Sequence, residues 1–129
     1  MILDASALLA ILLDEPEAPA IAQAMAAAPR RRISAVSWLE TAMVITARRG
    51  DHGADAFRAL VDKLQAEIAP VDQRQAETAY AAWLAYGKGR NPAALNLGDC
   101  FSYALAKDLA EPLLFKGDDF ARTDIRPAL

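Results

Sequence analysis

The stretch Met1-Ile2-Leu3-Asp4-Ala5-Ser6-Ala7-Leu8 decides the fold. Met1–Leu3 is a short apolar run of the kind that forms a buried strand. Asp4 ends it, and the apolar residues that follow, Ala5–Leu13, have the spacing of a helix. A strand that stops at an acid and turns at once into a helix is the opening of an α/β unit. The functional crevice of such units lies at the carboxyl ends of the strands.

The same alternation continues outward. A second helix is expected over Pro16–Ala28, closed by Pro29, and a strand over Arg32–Ala35, with Ser34 or Ser37 capping the next helix. That helix is expected from Trp38 to Arg49, with Gly50 as its stop signal. Phe57, Leu60, Val61 and Leu64 share one face of a helix over Asp55–Gln65. A short strand at Ile68–Val71 and a helix over Gln73–Tyr86 follow. Gly87–Pro92 is a loop, Leu97–Leu109 an apolar helix and Leu113–Phe115 a strand. Gly117-Asp118-Asp119 begins a turn or short helix, and the tail from Ala121 has room for one more edge strand. The expectation is one α/β domain over residues 1–129, a mostly parallel sheet with helices on both faces in three layers.

Bulk properties narrow the function. At 129 residues the chain can bury a core, and 54% hydrophobic residues, much of it alanine, exclude disorder and favour helices. The net charge of −3 is not that of a basic nucleic-acid-binding domain, although a sum does not say where charges sit. A single cysteine, Cys100, rules out an intrachain disulfide and any zinc site built on several cysteines, and fits a reducing cytoplasm. The apolar start has no leading Lys or Arg, is interrupted by Asp4 and runs into Asp14-Glu15-Pro16, so it reads as neither a signal peptide nor a membrane span.

Four of the 17 acids stand in apolar company: Asp4, Glu40 in Val36-Ser37-Trp38-Leu39-Glu40, Asp99 in Leu97-Gly98-Asp99-Cys100-Phe101, and Asp118 after Leu113-Leu114-Phe115-Lys116-Gly117. A charged group there is costly unless paired or bound to a metal. Hard divalent cations take carboxylate oxygens and repay the repulsion between them. The competing account of each acid is a helix cap or first-turn acid.

With these residues the sequence resembles the PIN-domain family, and within it the VapC-type toxins of bacterial toxin–antitoxin pairs. The segments that carry the likeness are Met1–Leu8, Ser34–Glu40, Leu97–Ala106 and Leu113–Phe120, in that order over nearly the whole chain. The resemblance implies an endoribonuclease dependent on Mg²⁺ or Mn²⁺, a homodimer, and inhibition by a cognate VapB-type antitoxin. It carries the metal-binding acids onto Asp4, Glu40, Asp99 and Asp118, with adjacent Asp119 as alternative fourth acid and Ser6 assisting. It also implies hydrolysis by metal-activated water, leaving a 5′-phosphate and a 3′-hydroxyl. A metal-dependent deoxyribonuclease or phosphatase on the same acids, or a silent binding module, are the alternatives.

Among the bases, Arg30 opens the run Arg30-Arg31-Arg32, Lys88 and Arg90 sit on the glycine-containing loop, and Lys116 lies two residues before Asp118; these are the candidate contacts to RNA phosphates. His52 falls in a polar turn and is expected to be solvated, which argues against a histidine-based ribonuclease. Cys100, Trp38, Trp83, Phe57 and Phe101 read as packing residues. Leu8–Leu13 and the alanine-rich helices offer apolar surface for an antitoxin helix.

Overall fold

In a computed structural model describing residues 1–129, the chain runs β1 (Ile2–Leu3), α1 (Ala5–Leu12), α2 (Ala18–Ala27), β2 (Arg32–Ser34), α3 (Ala35–Leu64), β3 (Glu67–Ala69), α4 (Gln73–Tyr86), α5 (Leu97–Leu109), β4 (Leu113–Leu114). The strands form one parallel sheet in the order β3-β2-β1-β4. The tail adds a single bridge, Pro127 to Leu113, in place of a full edge strand, since proline has no amide hydrogen to continue a ladder.

Strand side chains alternate between two cores. Ile2 and Leu113 join Ala79, Ala82, Tyr103, Ala104 and Phe120 on the face covered by α4 and α5. Leu3, Ile33 and Leu114 join Leu8, Ile21, Met25, Ile45 and Phe57 on the face covered by α1, α2 and α3. The period of two along each strand therefore produces the three-layer α/β/α arrangement.

The two helices expected on either side of Gly50 are both present and abut there, as the two limbs of α3. Gly50 ends the first limb as expected, its backbone lying at φ 62°, ψ −153°, but no loop follows: the chain re-enters helix at once, ahead of the expected start at Asp55. That conformation is open to glycine and to little else. His52 consequently lies on the second limb of α3, exposed, and not in a turn. The first limb is capped by Ser34, whose hydroxyl accepts from the Val36 amide; Ser37 is spent elsewhere.

The surplus apolar surface also lies elsewhere than expected. Leu8 is wholly buried and its neighbours on α1 pack against the same core. Leu39, Met43, Tyr80, Leu84 and Leu97, on α3, α4 and α5, are the exposed ones. Trp38 packs on Phe57 with ring centroids 5.5 Å apart, whereas Trp83 is partly exposed and stacks beside Tyr80.

Candidate metal centre

Parallel strands send their carboxyl ends to one edge of the sheet, and the acids follow. Asp4 succeeds β1 directly and caps α1, its Oδ2 accepting the Ser6 amide at 3.0 Å. Glu40 stands on the first limb of α3, just after β2. Asp99 is the third residue of α5 and completes a capping box: the Asp99 amide donates to Asn96 Oδ1 at 2.9 Å, and the Asn96 amide donates to Asp99 Oδ2 at 3.0 Å. Asp118 and Asp119 lie exposed in the turn after β4. Capping and clustering are thus compatible, because each capping aspartate commits Oδ2 to its helix and retains capacity on Oδ1.

The acids feel one another. Burial raises the Glu40 carboxyl above its ordinary value, and the charge of Asp4 raises it further. Burial pushes Asp99 up to about 7; the Asn96 amide opposes this, while Asp4, Asp119 and Glu40 add to it. Asp4, Glu40, Asp99 and Asp119 therefore share one electrostatic neighbourhood. Asp118 is not among the charges that raise Asp99.

No cation answers them. The ion pairs of the protein join Arg30, Arg32, Arg74, Lys107, Lys116 and the N-terminus to Glu67, Glu111, Asp108, Asp124, Glu15 and Glu17. No three of the acids stand close enough to enclose an ion by themselves. A closed, all-protein cage is therefore absent. Mg²⁺ does not ask for one: it usually retains several waters and takes one or two carboxylates plus substrate phosphate oxygens. An open set of hard oxygen donors with uncompensated charge fits that demand.

The basic candidates separate. Lys88 borders, with Asn96 and Leu97, a cleft of about 430 Å³ beside the start of α5. Arg90 is turned onto Trp83, its guanidinium carbon 4.9 Å from the ring centroid. The Lys116 ammonium is held by Glu15 and Glu17; what Lys116 gives the site is its backbone amide, which donates to Ser6 Oγ at 2.9 Å. Arg30 precedes β2, so it lies at the amino-terminal edge of the sheet, opposite the acids, and pairs with Glu67 at 2.7 Å.

Further residues belong to the site. Ser102 donates to Asp4 Oδ1 at 2.6 Å, and Ser37 lies 2.9 Å behind it. Gly98 packs against the Glu40 carboxylate. The sequence held a signal for these: Ser102 is three residues after Asp99 on one helix, and Ser37 three before Glu40 on another, the spacing that places side chains on one face. Glu40 also looks onto a second cleft, of about 450 Å³, lined by Val36, Leu39, Met43 and Leu97.

The PIN domain family matches residues 1–126. The chain is 48% identical over 125 residues to a protein named Ribonuclease VapC from Mycolicibacterium smegmatis, covering 97% of each. It is 47% identical over 130 residues to Ribonuclease VapC28 of Mycobacterium tuberculosis, covering 100% of this chain and 98% of the relative. Two solved structures share the fold. Mycobacterium tuberculosis VapC20, described as a toxin cleaving the sarcin-ricin loop, superposes with a TM-score of 0.78 at 18% identity over 96% of this chain and 95% of that one. A toxin–antitoxin complex from Klebsiella pneumoniae gives 0.72 at 22% identity over 95% and 92%. Full-length identity of this order, a family match over 126 residues and a parallel sheet that gathers the motif acids at one edge agree: the chain belongs to the PIN-domain family, among the VapC ribonucleases.

Proposed function

We propose that the chain is a cytoplasmic endoribonuclease toxin that works with Mg²⁺ or Mn²⁺ bound at Asp4, Glu40 and Asp99, and that a cognate antitoxin restrains it. The observation that carries this reading is the convergence of Asp4, Glu40, Asp99 and Asp119 at one sheet edge without a cation among them. The likeness to named VapC ribonucleases supports RNA as the substrate.

A bound divalent cation supplies positive charge against the phosphodiester and lowers the pKa of water. The protein's part is to hold and orient. Asp4 and Asp99, each with one oxygen tied to its helix, offer the other. Glu40 approaches from α3, where burial and the charge of Asp4 raise its proton affinity, so a divalent cation held there would relieve its charge together with that of Asp4. Asp119 is the preferred fourth acid in this reading, supported by the reach of its charge to Asp99. Lys88, which is in no ion pair and borders the cleft beside the start of α5, is the candidate base for meeting a phosphate. The exposed residues Leu39, Met43 and Leu97 are the surface on which a homodimer would form.

The test is cleavage of RNA by purified protein with Mg²⁺ or Mn²⁺, with excess EDTA, and after metal is restored, alongside DNA and a small phosphate ester. RNA cut only when metal is present supports the reading. Full activity in excess chelator, or cleavage confined to DNA or the ester, would sink it.

A further inference from the structure

The three hydrogen bonds to Asp4 fall unevenly on its two oxygens. Oδ2 accepts from the Ser6 amide at 3.0 Å and from the Ser6 hydroxyl at 2.6 Å. Oδ1 accepts only from the Ser102 hydroxyl, at 2.6 Å. An ionised carboxylate offers about four lone-pair sites, two on each oxygen. Oδ2 is therefore filled, and Oδ1 alone retains capacity.

The hydroxyls also have a direction. Ser102 Oγ lies 2.9 Å from Ser37 Oγ, and either could donate on distance alone. A serine carries one hydroxyl proton, and Ser102 spends its own on Asp4. Ser37 must therefore donate to Ser102, giving a one-way chain from Ser37 to Ser102 to Asp4 Oδ1. Ser37 and Ser102 are both 0% exposed and Asp4 is 3% exposed. Water does not compete in such a setting, and successive hydrogen bonds polarise one another. Ser37 sits on the helix that bears Glu40, and Ser102 on the helix that bears Asp99. The relay thus joins the three elements that bring the acids together.

We infer that Ser102, backed by Ser37, is a positioning residue that fixes Asp4 so that Oδ1 is its single metal-ligating oxygen. This rests on the metal-site reading above. Ser102 touches neither substrate nor metal; it acts by holding the carboxylate against rotation and by leaving one lone pair in a set direction. Residues that orient ligands in this way typically contribute a factor of about 10–100 to metal affinity.

The experiment is calorimetric titration of the full chain with Mn²⁺, with the metal-free melting temperature as companion. Variants are Ser102→Ala, Ser102→Thr, Ser37→Ala, the Ser37→Ala/Ser102→Ala pair, and Asp4→Ala. Wild type should bind Mn²⁺ and Asp4→Ala should not. Ser102→Ala should weaken binding about 10–100-fold, and Ser102→Thr, which keeps the hydroxyl, should restore most of it. Ser37→Ala should cost less, and should cost nothing more once Ser102 is alanine. The double variant removes both hydroxyls together and so leaves no orphaned donor beside Asp4, and it carries the test if Ser102→Ala does not fold. Binding lost in Asp4→Ala but within about twofold of wild type in the serine variants would overturn this inference alone. Melting temperatures that fall while Mn²⁺ affinity holds would do the same. Absence of Mn²⁺ binding by wild type would overturn the metal-site reading and the inference with it.

Discussion

Gly98 on α5 stands directly against the Glu40 carboxylate on α3: a Cβ added at Gly98 would meet Glu40 Oε2 at 2.5 Å and Oε1 at 2.7 Å. The contact is with the far end of a flexible side chain, so the fold can yield. The carboxylate cannot stay where it is. Gly98→Ala is expected to keep the melting temperature within a few degrees of wild type while lowering kcat/KM for RNA about tenfold or more, the scale on which misplaced site groups act. A variant that unfolds, or one that cleaves at the wild-type rate, contradicts this account of Gly98.

The two acids after β4 should not be equivalent. Asp119 adds to the rise of the Asp99 carboxyl; Asp118 does not. Asp119→Asn is therefore expected to reduce cleavage and to shift the Mn²⁺ concentration needed for half-maximal rate, with Asp118→Asn having the smaller effect on both. Metal titrations of the two variants side by side decide it, and the reverse order would return the fourth position to Asp118.

Asp99 gives the metal-free protein a defined pH dependence. Its ordinary pKa is 3.8 and in the folded chain it is about 7. Between those values the folded protein holds a proton that the unfolded chain has released, so stability is lost as pH rises through that window. Thermal melts in chelator should show a declining midpoint from about pH 4 to about pH 7, flattened in Asp99→Asn. Added Mn²⁺ requires the deprotonated carboxylate, so the midpoint gain from metal should grow with pH over the same range. A wild-type slope identical to that of Asp99→Asn rejects the assignment.

Cys100 follows Asp99 but is buried, and burial followed by the charge of Asp99 pushes its thiol up to about 11. The thiolate is the reactive species, so iodoacetamide at neutral pH should leave the native chain unlabelled and label it fully after denaturation. Rapid labelling of the native protein would show that α5 opens at its first turn.

Gly50 joins the limbs of α3 at φ 62°, ψ −153°. No neighbour occupies the space of a Cβ there, so the cost of Gly50→Ala is one of backbone strain alone, about 1–3 kcal/mol. Urea unfolding measures it. No loss of stability would mean that the kink accepts another conformation.

Much of the candidate site was legible because its residues are local to their motifs. Asp4 ends a strand, Asp99 opens a helix, and Glu40 follows Ser34 at a strand-to-helix junction; each position can be read from a few neighbours. The order of strands and helices, and hence a parallel sheet with a common edge for these acids, follows from the same local patterns. The helix stop at Gly50 was legible; the immediate restart after it was not. A glycine after an amphipathic stretch marks a helix end, and the polar run Asp51-His52-Gly53 carries no sign of a new start; the two limbs are joined through the core, where Ile45 of one and Phe57 of the other pack in the same cluster.

The sequence by itself determined most of the elements, their parallel arrangement and which candidate acids fall near the strand ends, because hydrophobic period, caps and chain reversal are short-range properties. The tertiary structure alone decided the rest. It turned Lys116 toward Glu15 and Glu17, sent Arg30 to the far edge, and put Asp119 within the field of Asp99. It also set Gly98 against Glu40 and brought Ser37, Ser102 and Asp4 into line across 98 positions of chain. Such pairings depend on which faces of α3 and α5 meet over the sheet edge, and long-range packing fixes that, not any local spacing.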